Sequence, residues 1–227
     1  MFKKWWFWVA AAGIVAVIIS AIGFVPNRSL SPSNSSPGHP ASTAPRSTTS
    51  PPTTPPTVGS AIRVGPGPRA TYTVQPQPAS GSCHYRYIGG YPLPDPNCTP
   101  GATSPQVTQA DIGSTICSRG YTSGVRPPEV ITGPEKAASA AAYGYTGSFR
   151  TGEYDHLIPL ELGGDPDDPA NLWVEPNDDP NATSTYNTKD LLENQLNNLV
   201  CSGRLTLAAA QQAIASNWVA AYQRYGG

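Results

Sequence analysis

Hydrophobic residues are concentrated in one uninterrupted run near the start of the chain. Residues 5–25 are 21 positions without a charged side chain, and they directly follow Lys3 and Lys4. A helix of this length can cross the hydrocarbon core of a bilayer, and the tryptophans at its start suit the membrane interface. The pattern predicts a membrane anchor within residues 1–25, with the remainder of the chain outside the cytoplasm. A cleaved signal peptide is the alternative, because Ala21-Ile22-Gly23 is compatible with a small-residue cleavage site.

Short apolar runs in the second half of the chain predict two strands joined by a loop. Residues 154–160 favour a first strand, and residues 171–175 favour a second, shorter one. The residues between them, 162–170, are rich in Gly, Pro and Asp, which favours turns. We interpret the aspartates of this loop and of the segment after the second strand as solvated turn residues rather than calcium ligands; they are Asp165, Asp167, Asp168, Asp178 and Asp179.

Two helices with apolar faces follow the predicted strands. Residues 185–200 place leucines at helical spacing, and residues 207–222 follow Thr206, which is a suitable N-cap. Upstream, residues 134–143 predict an alanine-rich helix with Pro134 in its first turn. Residues 71–133 are expected to be mostly irregular backbone. The mixture of strands and helices predicts an α+β fold.

Composition separates this domain from the N-terminal run. Between residues 26 and 60, 24 of 35 residues are Pro, Ser or Thr. Such a segment cannot bury enough apolar surface to offset the entropy lost on ordering. We therefore predict a disordered linker over residues 26–70 and a single domain over residues 71–227.

All four cysteines lie in the predicted domain, at Cys83, Cys98, Cys117 and Cys201. An even number of cysteines in an exported chain favours two disulfides, and the absence of a C-x-x-C pair argues against zinc. Three pairings are possible from the sequence. We favour Cys83–Cys98, which closes a local loop, together with Cys117–Cys201, which joins the front of the domain to its last helices.

The net negative charge of the domain is unfavourable for binding nucleic acid. Residues 71–227 contain eight Lys and Arg against fifteen Asp and Glu, a net charge of −7. Proteins that bind nucleic acid usually present a basic surface, because neutralising phosphates dominates their affinity. A nuclease with this composition would need a local positive rim beside its site.

The candidate chemistry lies on the first predicted strand. Hydrolysis of a phosphodiester needs a base to activate water and a metal to stabilise the leaving oxygen. Asp155 is the candidate metal ligand and His156 the candidate base, while Asn171 can brace the intervening loop. The following helix offers Asn187 or Asp190 as a further ligand. Oxygen ligands favour Mg²⁺, with Mn²⁺ as another hard ion that would fit.

These residues resemble a known family. Residues 155–159, the Gly163-Gly164 pair, Asn171-Leu172 and the following helix resemble the ββα-metal, or HNH, endonuclease motif. A wider stretch from Cys98 to Trp218 is similar to exported bacterial HNH-like proteins of mostly unassigned role. The pieces that match are residues 98–102, 112–117, 125–128, 142–145 and 189–193.

The resemblance implies a small ββα-metal core at about residues 153–200, with additional helices and a loop-rich N-terminal part tied by disulfides. In this family pattern Asp155 matches the first metal ligand, His156 the general base and Asn171 the central asparagine. Asn187 is the better match to the last ligand, and Asp190 is the reserve. No structural zinc is implied, because the zinc-knuckle cysteine pairs are absent.

The function implied by the resemblance is a metal-dependent endonuclease that cleaves DNA or RNA outside a bacterial cytoplasmic membrane. The protein would be anchored by a single N-terminal helix, or secreted if that segment is cleaved. The alternative is a catalytically degenerate HNH-like fold that acts as a binding or structural module at the cell surface. Lys189 is either a phosphate contact or a helix support paired with Glu193. No protein partner is inferred.

Overall fold

The computed structural model describes residues 61–226, so the predicted anchor and residues 26–60 of the predicted linker lie outside the described range. Helices and short strands are both present, which confirms the α+β class. Between residues 61 and 226, the helices are too short or too polar to span a bilayer.

The first half of the described chain contains short elements separated by irregular backbone. They are β1 (Arg63–Val64), β2 (Arg86–Ile88), β3 (Tyr91–Leu93), β4 (Ala102–Thr103), α1 (Tyr121–Val125) and α2 (Glu129–Tyr143). β1 pairs with β4 in parallel, and β2 pairs with β3 as an antiparallel hairpin. The mostly irregular character expected of this part is therefore correct, with short pairings added.

Residues 61–70 belong to the folded unit, which corrects the predicted linker boundary. Arg63 in β1 is paired with Ala102 in β4, and Ile62 packs against the main hydrophobic core. The backbone N–H of Gly67 donates to the carboxylate of Asp165 at 2.6 Å. Composition alone places this segment with the linker, whereas backbone pairing places it with the domain.

Helix α2 begins five residues earlier than the sequence indicates, at Glu129 instead of Pro134. The early turn contains β-branched residues and a glycine, whose low helix propensity conceals it from a sequence reading. Pro134 consequently lies inside the helix and not in its first turn. Gly144 ends the helix in the left-handed conformation, with φ of 61°.

The second half forms one strand–loop–strand–helix unit followed by a packing helix. Its elements are β5 (Glu153–His156), a 3₁₀ helix (Leu160–Leu162), β6 (Leu172–Glu175), α3 (Thr188–Cys201) and α4 (Leu207–Tyr225). β5 and β6 are antiparallel, with Asp155 opposite Trp173 and His156 opposite Leu172.

The first strand is shorter than predicted because a side chain takes over its hydrogen bonds. β5 ends at His156, whereas the apolar pattern continues to residue 160. Both the N–H and the C=O of Ile158 bond to the amide of Asn171 at 3.0 Å. These groups are therefore unavailable to a strand partner, and the chain turns into the 3₁₀ helix.

The two C-terminal helices form the main core. Leu192 and Leu196 of α3 are fully buried against Ile214 and Trp218 of α4. Thr206 caps α4 as predicted, since its side chain accepts the N–H of Ala209 at 3.3 Å. The amphipathic pattern of the sequence thus identified the packing faces of both helices.

Both favoured disulfides are present. Cys83 is bonded to Cys98, and Cys117 is bonded to Cys201. Cys83 belongs to a second, smaller core cluster with Tyr143 and Trp173. Trp173 on β6 is fully buried in this cluster and is therefore a core residue.

Candidate functional site

β5 and α3 supply walls of a small pocket with a volume of about 110 Å³. We call it the acidic pocket, because carboxylates dominate its lining. Its charged and titratable side chains are Arg126, Glu153, Asp155, His156, Glu161, Asp190 and Glu193.

His156, the last residue of β5, is 6% exposed and lines the acidic pocket. Its Nε2 lies 3.1 Å from the carbonyl oxygen of Pro166. A carbonyl oxygen only accepts hydrogen bonds, so this contact places the ring proton on Nε2 and leaves the lone pair on Nδ1. Burial, assisted by the positive charge of Arg126, lowers the pKa of His156 to about 4. The imidazole is therefore neutral at neutral pH.

Asn171, directly before β6, holds the β5–β6 loop in place through its side-chain amide, as the sequence suggested. Its Oδ1 accepts the N–H of Ile158 at 3.0 Å and that of Ala102 at 3.3 Å, and its Nδ2 donates to Ile158 O and to Asp165 O, each at 3.0 Å. A Cβ on Gly164 would lie 1.7 Å from the carbonyl oxygen of Ile158, so only glycine fits beside this network.

Asp155 forms an ion pair with Lys189 inside the protein. The Lys189 ammonium lies 2.7 Å from Asp155 Oδ2 and 2.9 Å from the carbonyl oxygen of His156, and it also contacts Glu193. Burial opposes the charge on Asp155, but the neighbouring ammonium outweighs it and holds the pKa of Asp155 below its usual value. Lys189 is only 1% exposed. It is therefore an internal counter-charge, and its burial argues against a phosphate contact.

The two candidate ligands from the helix occupy different places. Asn187 is the N-cap of α3, where its side chain accepts the N–H of Lys189 at 2.9 Å. Asp190 completes the capping box by accepting the N–H of Asn187 at 2.7 Å, and it also lines the acidic pocket. The structure thus brings Asp155, His156 and Asp190 to one pocket, while Asn187 serves the helix end.

Apart from Asp155, the carboxylates around the pocket have pKa values raised first by burial and then by one another's charge. Burial, followed by the charges of Asp155 and Asp190, raises the pKa of Glu153 to about 8. Burial also raises the pKa of Glu161 and of Asp190. Oε1 of Glu161 is buried and, within residues 61–226, has no hydrogen-bond partner. An added cation would relieve this crowding of negative charge.

Several residues of the pocket were not singled out in the sequence. Glu153 lies two positions before Asp155 on the same strand, which is the one signal that points to it. Glu161 in the 3₁₀ helix and Arg126 at the end of α1 come from other segments. Arg126 is exposed and is the one cationic side chain of the described residues that lines the pocket.

The aspartates of the β5–β6 loop are buried, which corrects their interpretation as solvated residues. Asp165, Asp167 and Asp168 are 0%, 2% and 3% exposed. A turn is nevertheless present, because Asp165 Oδ1 accepts the N–H groups of Asp167 and Asp168 at 3.0 and 2.9 Å. Asp179, in the next loop, is exposed as expected.

The chemical type of the pocket fits the divalent cation that the resemblance implies. It offers carboxylate oxygens, the pKa values of Glu153, Glu161 and Asp190 are raised, and one buried oxygen of Glu161 lacks a partner among the described residues. Asp155, Asp190 and Glu161 are the side chains that would hold such an ion. In residues 61–226, however, no three His, Cys, Asp or Glu side chains are grouped closely enough to hold a metal as they stand.

Comparison of the chain with protein-family models, curated proteins and solved structures gives no match in any of the three.

Proposed function

We propose that this domain is a metal-dependent endonuclease that hydrolyses phosphodiester bonds of DNA or RNA outside the cytoplasmic membrane. The observation that supports this function best is the position of Asp155, His156 and Asp190 around one pocket of a strand–loop–strand–helix unit. An acid, a neutral imidazole and a second acid are the groups that metal-assisted hydrolysis requires.

His156 acts as the general base in this proposal. Its Nε2 is fixed as the donor to Pro166, so Nδ1 is the nitrogen that accepts a proton from water. The lowered pKa keeps the imidazole unprotonated at neutral pH. Asn171 holds the loop that carries Pro166, and it thereby fixes the orientation of the ring indirectly.

Asp155, Asp190 and Glu161 would hold the metal ion, with Mg²⁺ as the first choice and Mn²⁺ as the second. When bound, the ion would supply the positive charge that stabilises the leaving oxygen of the phosphodiester. Lys189 keeps Asp155 ionised and attached to α3. Asn187 has no ligand role here, because its oxygen caps the helix.

Arg126 supplies the positive rim that the acidic domain otherwise lacks. Its side chain is exposed at the pocket that contains His156, and a guanidinium can bind a phosphate through two hydrogen bonds. A substrate phosphate bound to Arg126 would lie next to the imidazole.

A second candidate is a non-catalytic binding or structural module. The contact between Lys189 and Asp155 favours it, because an ammonium already provides the positive charge beside the predicted first ligand. Arg126 faces five carboxylates around the pocket, which also weakens attraction for nucleic acid.

Digestion assays separate the two candidates. Full-length protein is incubated with plasmid DNA, single-stranded DNA and RNA, with either Mg²⁺ or Mn²⁺. The endonuclease proposal predicts metal-dependent cleavage that His156→Ala reduces by at least about 100-fold, as expected for removal of a general base. His84→Ala, which changes an exposed histidine elsewhere, is the matched control. If the protein cleaves none of these substrates with either metal, the result would favour the non-catalytic module.

A further inference from the structure

The peptide unit that joins Pro166 to Asp167 orients the ring of His156. Its carbonyl oxygen lies 3.1 Å from His156 Nε2, and its N–H donates to Asp165 Oδ1 at 3.0 Å. The unit is trans and planar, so its C=O and N–H groups point in opposite directions. Asp165 therefore holds one side of this unit, and the imidazole contacts the other. Any rotation of the Asp165 carboxylate would also turn the carbonyl group that His156 faces.

Asp165 is completely buried, and neighbouring segments bond to its backbone and to its side chain. Its N–H donates to the carbonyl oxygen of Ala102 at 2.9 Å, and its C=O accepts the amide of Asn171 at 3.0 Å. Its Oδ1 also accepts the N–H of Asp168 at 2.9 Å. The second carboxylate oxygen, Oδ2, takes its partner from the N-terminal end of the described chain.

We call residues 63–67 the N-terminal strap, because their backbone passes directly over the Asp165 carboxylate. The N–H of Gly67 donates to Asp165 Oδ2 at 2.6 Å. A Cβ on Gly65 would lie only 2.4 Å from the same oxygen. Gly67 has a φ of 80°, a left-handed conformation that glycine adopts without strain. The two glycines therefore permit a contact between strap and carboxylate that larger residues would prevent.

The N-terminal strap is also fixed by contacts that do not involve Asp165. Its first two residues form β1, which pairs in parallel with β4, and the N–H of Gly65 donates to the carbonyl oxygen of Thr103 at 2.9 Å. The guanidinium of Arg63 lies 2.9 Å from Oδ2 of Asp168, in the turn that Asp165 closes. The strap is thus tied to the strand and to the turn between which Asp165 is placed.

We propose that Asp165 is a positioning residue for His156 and that the N-terminal strap holds Asp165 in place. The contacts lead from Gly67 through the two carboxylate oxygens of Asp165 to the peptide unit after Pro166, and from its carbonyl to the imidazole. The orientation of the ring therefore depends on the segment in which the chain enters the domain. The catalytic consequence rests on the endonuclease proposal, whereas the positioning can be measured without any activity.

Two variants of the full-length protein disturb the contact between the N-terminal strap and Asp165. Asp165→Asn keeps one oxygen for the two N–H groups of the turn, but it presents an amide NH₂ to the N–H of Gly67, and two donors do not bond. Gly65→Ala places a methyl group against Oδ2 of Asp165. Gly113→Ala is the matched control, because a Cβ there would meet no heavy atom of residues 61–226 within 4 Å.

The first measurement is the exchange of the His156 Nε2 proton with water, followed by NMR and assigned through the loss of its signal in His156→Ala. In the parent, burial and the bond to Pro166 should make this exchange slow. Asp165→Asn and Gly65→Ala should accelerate it by at least about tenfold, and Gly113→Ala should not. Spectra are recorded at a temperature at which unfolding curves show every variant to be folded. A purely structural role predicts a lower unfolding midpoint with unchanged exchange of the ring proton.

The second measurement is nuclease kinetics. Both variants should lower kcat by at least about tenfold with KM changed by less than about twofold, because a misplaced base slows the chemical step more than it weakens binding. Arg63→Ala removes the ion pair of a side chain that is 58% exposed, and it should change both measurements in the same direction by a smaller factor. If a buried variant does not fold, Arg63→Ala decides.

The two measurements separate failure of this inference from failure of the proposed function. If the parent cleaves no substrate, the endonuclease proposal fails, and exchange of the ring proton still tests the positioning. The positioning is overturned if Asp165→Asn, Gly65→Ala and Arg63→Ala all leave that exchange unchanged. It is also overturned if an active protein keeps its kcat in all three variants.

Discussion

Two single side chains connect segments that are distant in sequence around the acidic pocket. Asn171 bonds to the backbone of the β5–β6 loop at Ile158 and Asp165, and to Ala102 of β4. Lys189 joins α3 to the end of β5 through Asp155 and the carbonyl of His156. Because both residues are essentially inaccessible to water, their polar groups depend on these contacts.

Asn171→Ala should be strongly destabilising. It removes the partners of buried backbone groups at Ile158, and each unsatisfied buried group costs about 1–3 kcal/mol. We expect the free energy of unfolding to fall by about 3 kcal/mol. Denaturant unfolding measures it, with Asn198→Ala on the exposed side of α3 as the control. A loss below about 1 kcal/mol would mean that water replaces the amide.

Lys189→Met should expose the cost of an unpaired buried charge. Asp155 would lose its counter-ion, and breaking a buried pair in this way costs about 3–5 kcal/mol. The double variant Lys189→Met with Asp155→Asn should recover part of the loss, because the orphaned charge is removed as well. Chemical denaturation of both single variants and the double variant gives the coupling energy. Additive effects of the two substitutions would show that the pair contributes no coupling.

At the scale of elements, the sequence predicted the helices whose buried residues recur at a regular spacing. The apolar faces of α3 and α4 are visible as leucines and other apolar residues at helical spacing, and those residues are buried. The end of β5 was mispredicted, because it is decided by one side-chain amide from thirteen residues downstream. The start of α2 was missed because its first turn, which includes Val130 and Gly133, has low helix propensity and no buried face that periodicity could reveal.

The loop closed by Cys83–Cys98 should be sensitive to acid through Asp95. Burial opposes ionisation of Asp95, but the N–H groups of Asn97 and His84 bond its carboxylate at 2.9 Å and lower its pKa overall. A lowered native pKa gives stability that is present above the unfolded value of about 3.8 and is lost as the pH falls through the native value.

Asp95→Asn should therefore destabilise the domain most at neutral pH, by about 1–2 kcal/mol, because one amide hydrogen would face a backbone donor. The difference from the parent should shrink as the pH falls below about 4. Unfolding curves recorded between pH 2 and 7 measure this, with Asp111→Asn as an exposed control. If the difference in free energy of unfolding between Asp95→Asn and the parent stays constant from pH 2 to 7, ionisation of Asp95 does not contribute to stability.

At the scale of the whole molecule, the composition of the acidic pocket depends on chain segments that no local pattern connects. Asp155 and His156 are recognisable because they are adjacent in sequence and Asn171 follows nearby. Arg126 and Glu161 join them only through folding, and Asn187 is diverted to capping because the helix end needs an acceptor there. The motif in the sequence therefore predicts Asp155 and His156 better than it predicts Arg126 and Glu161, the pocket residues from other segments.

If the domain is an endonuclease, the net charge of −5 over residues 61–227, ten Lys and Arg against fifteen Asp and Glu, makes it depend on few phosphate contacts, with Arg126 foremost among them. Arg126→Ala should raise KM for a DNA substrate by about tenfold, as for one lost charge-assisted hydrogen-bonded contact. It should also reduce the slope of log(1/KM) against log[salt] by about 1.

Arg126→Lys should restore the slope but not the full affinity, since lysine contacts phosphate as a point charge. Arg204→Ala, in the turn between α3 and α4, is the matched control. Unchanged KM and salt slope in Arg126→Ala would mean that the substrate approaches the pocket from another side.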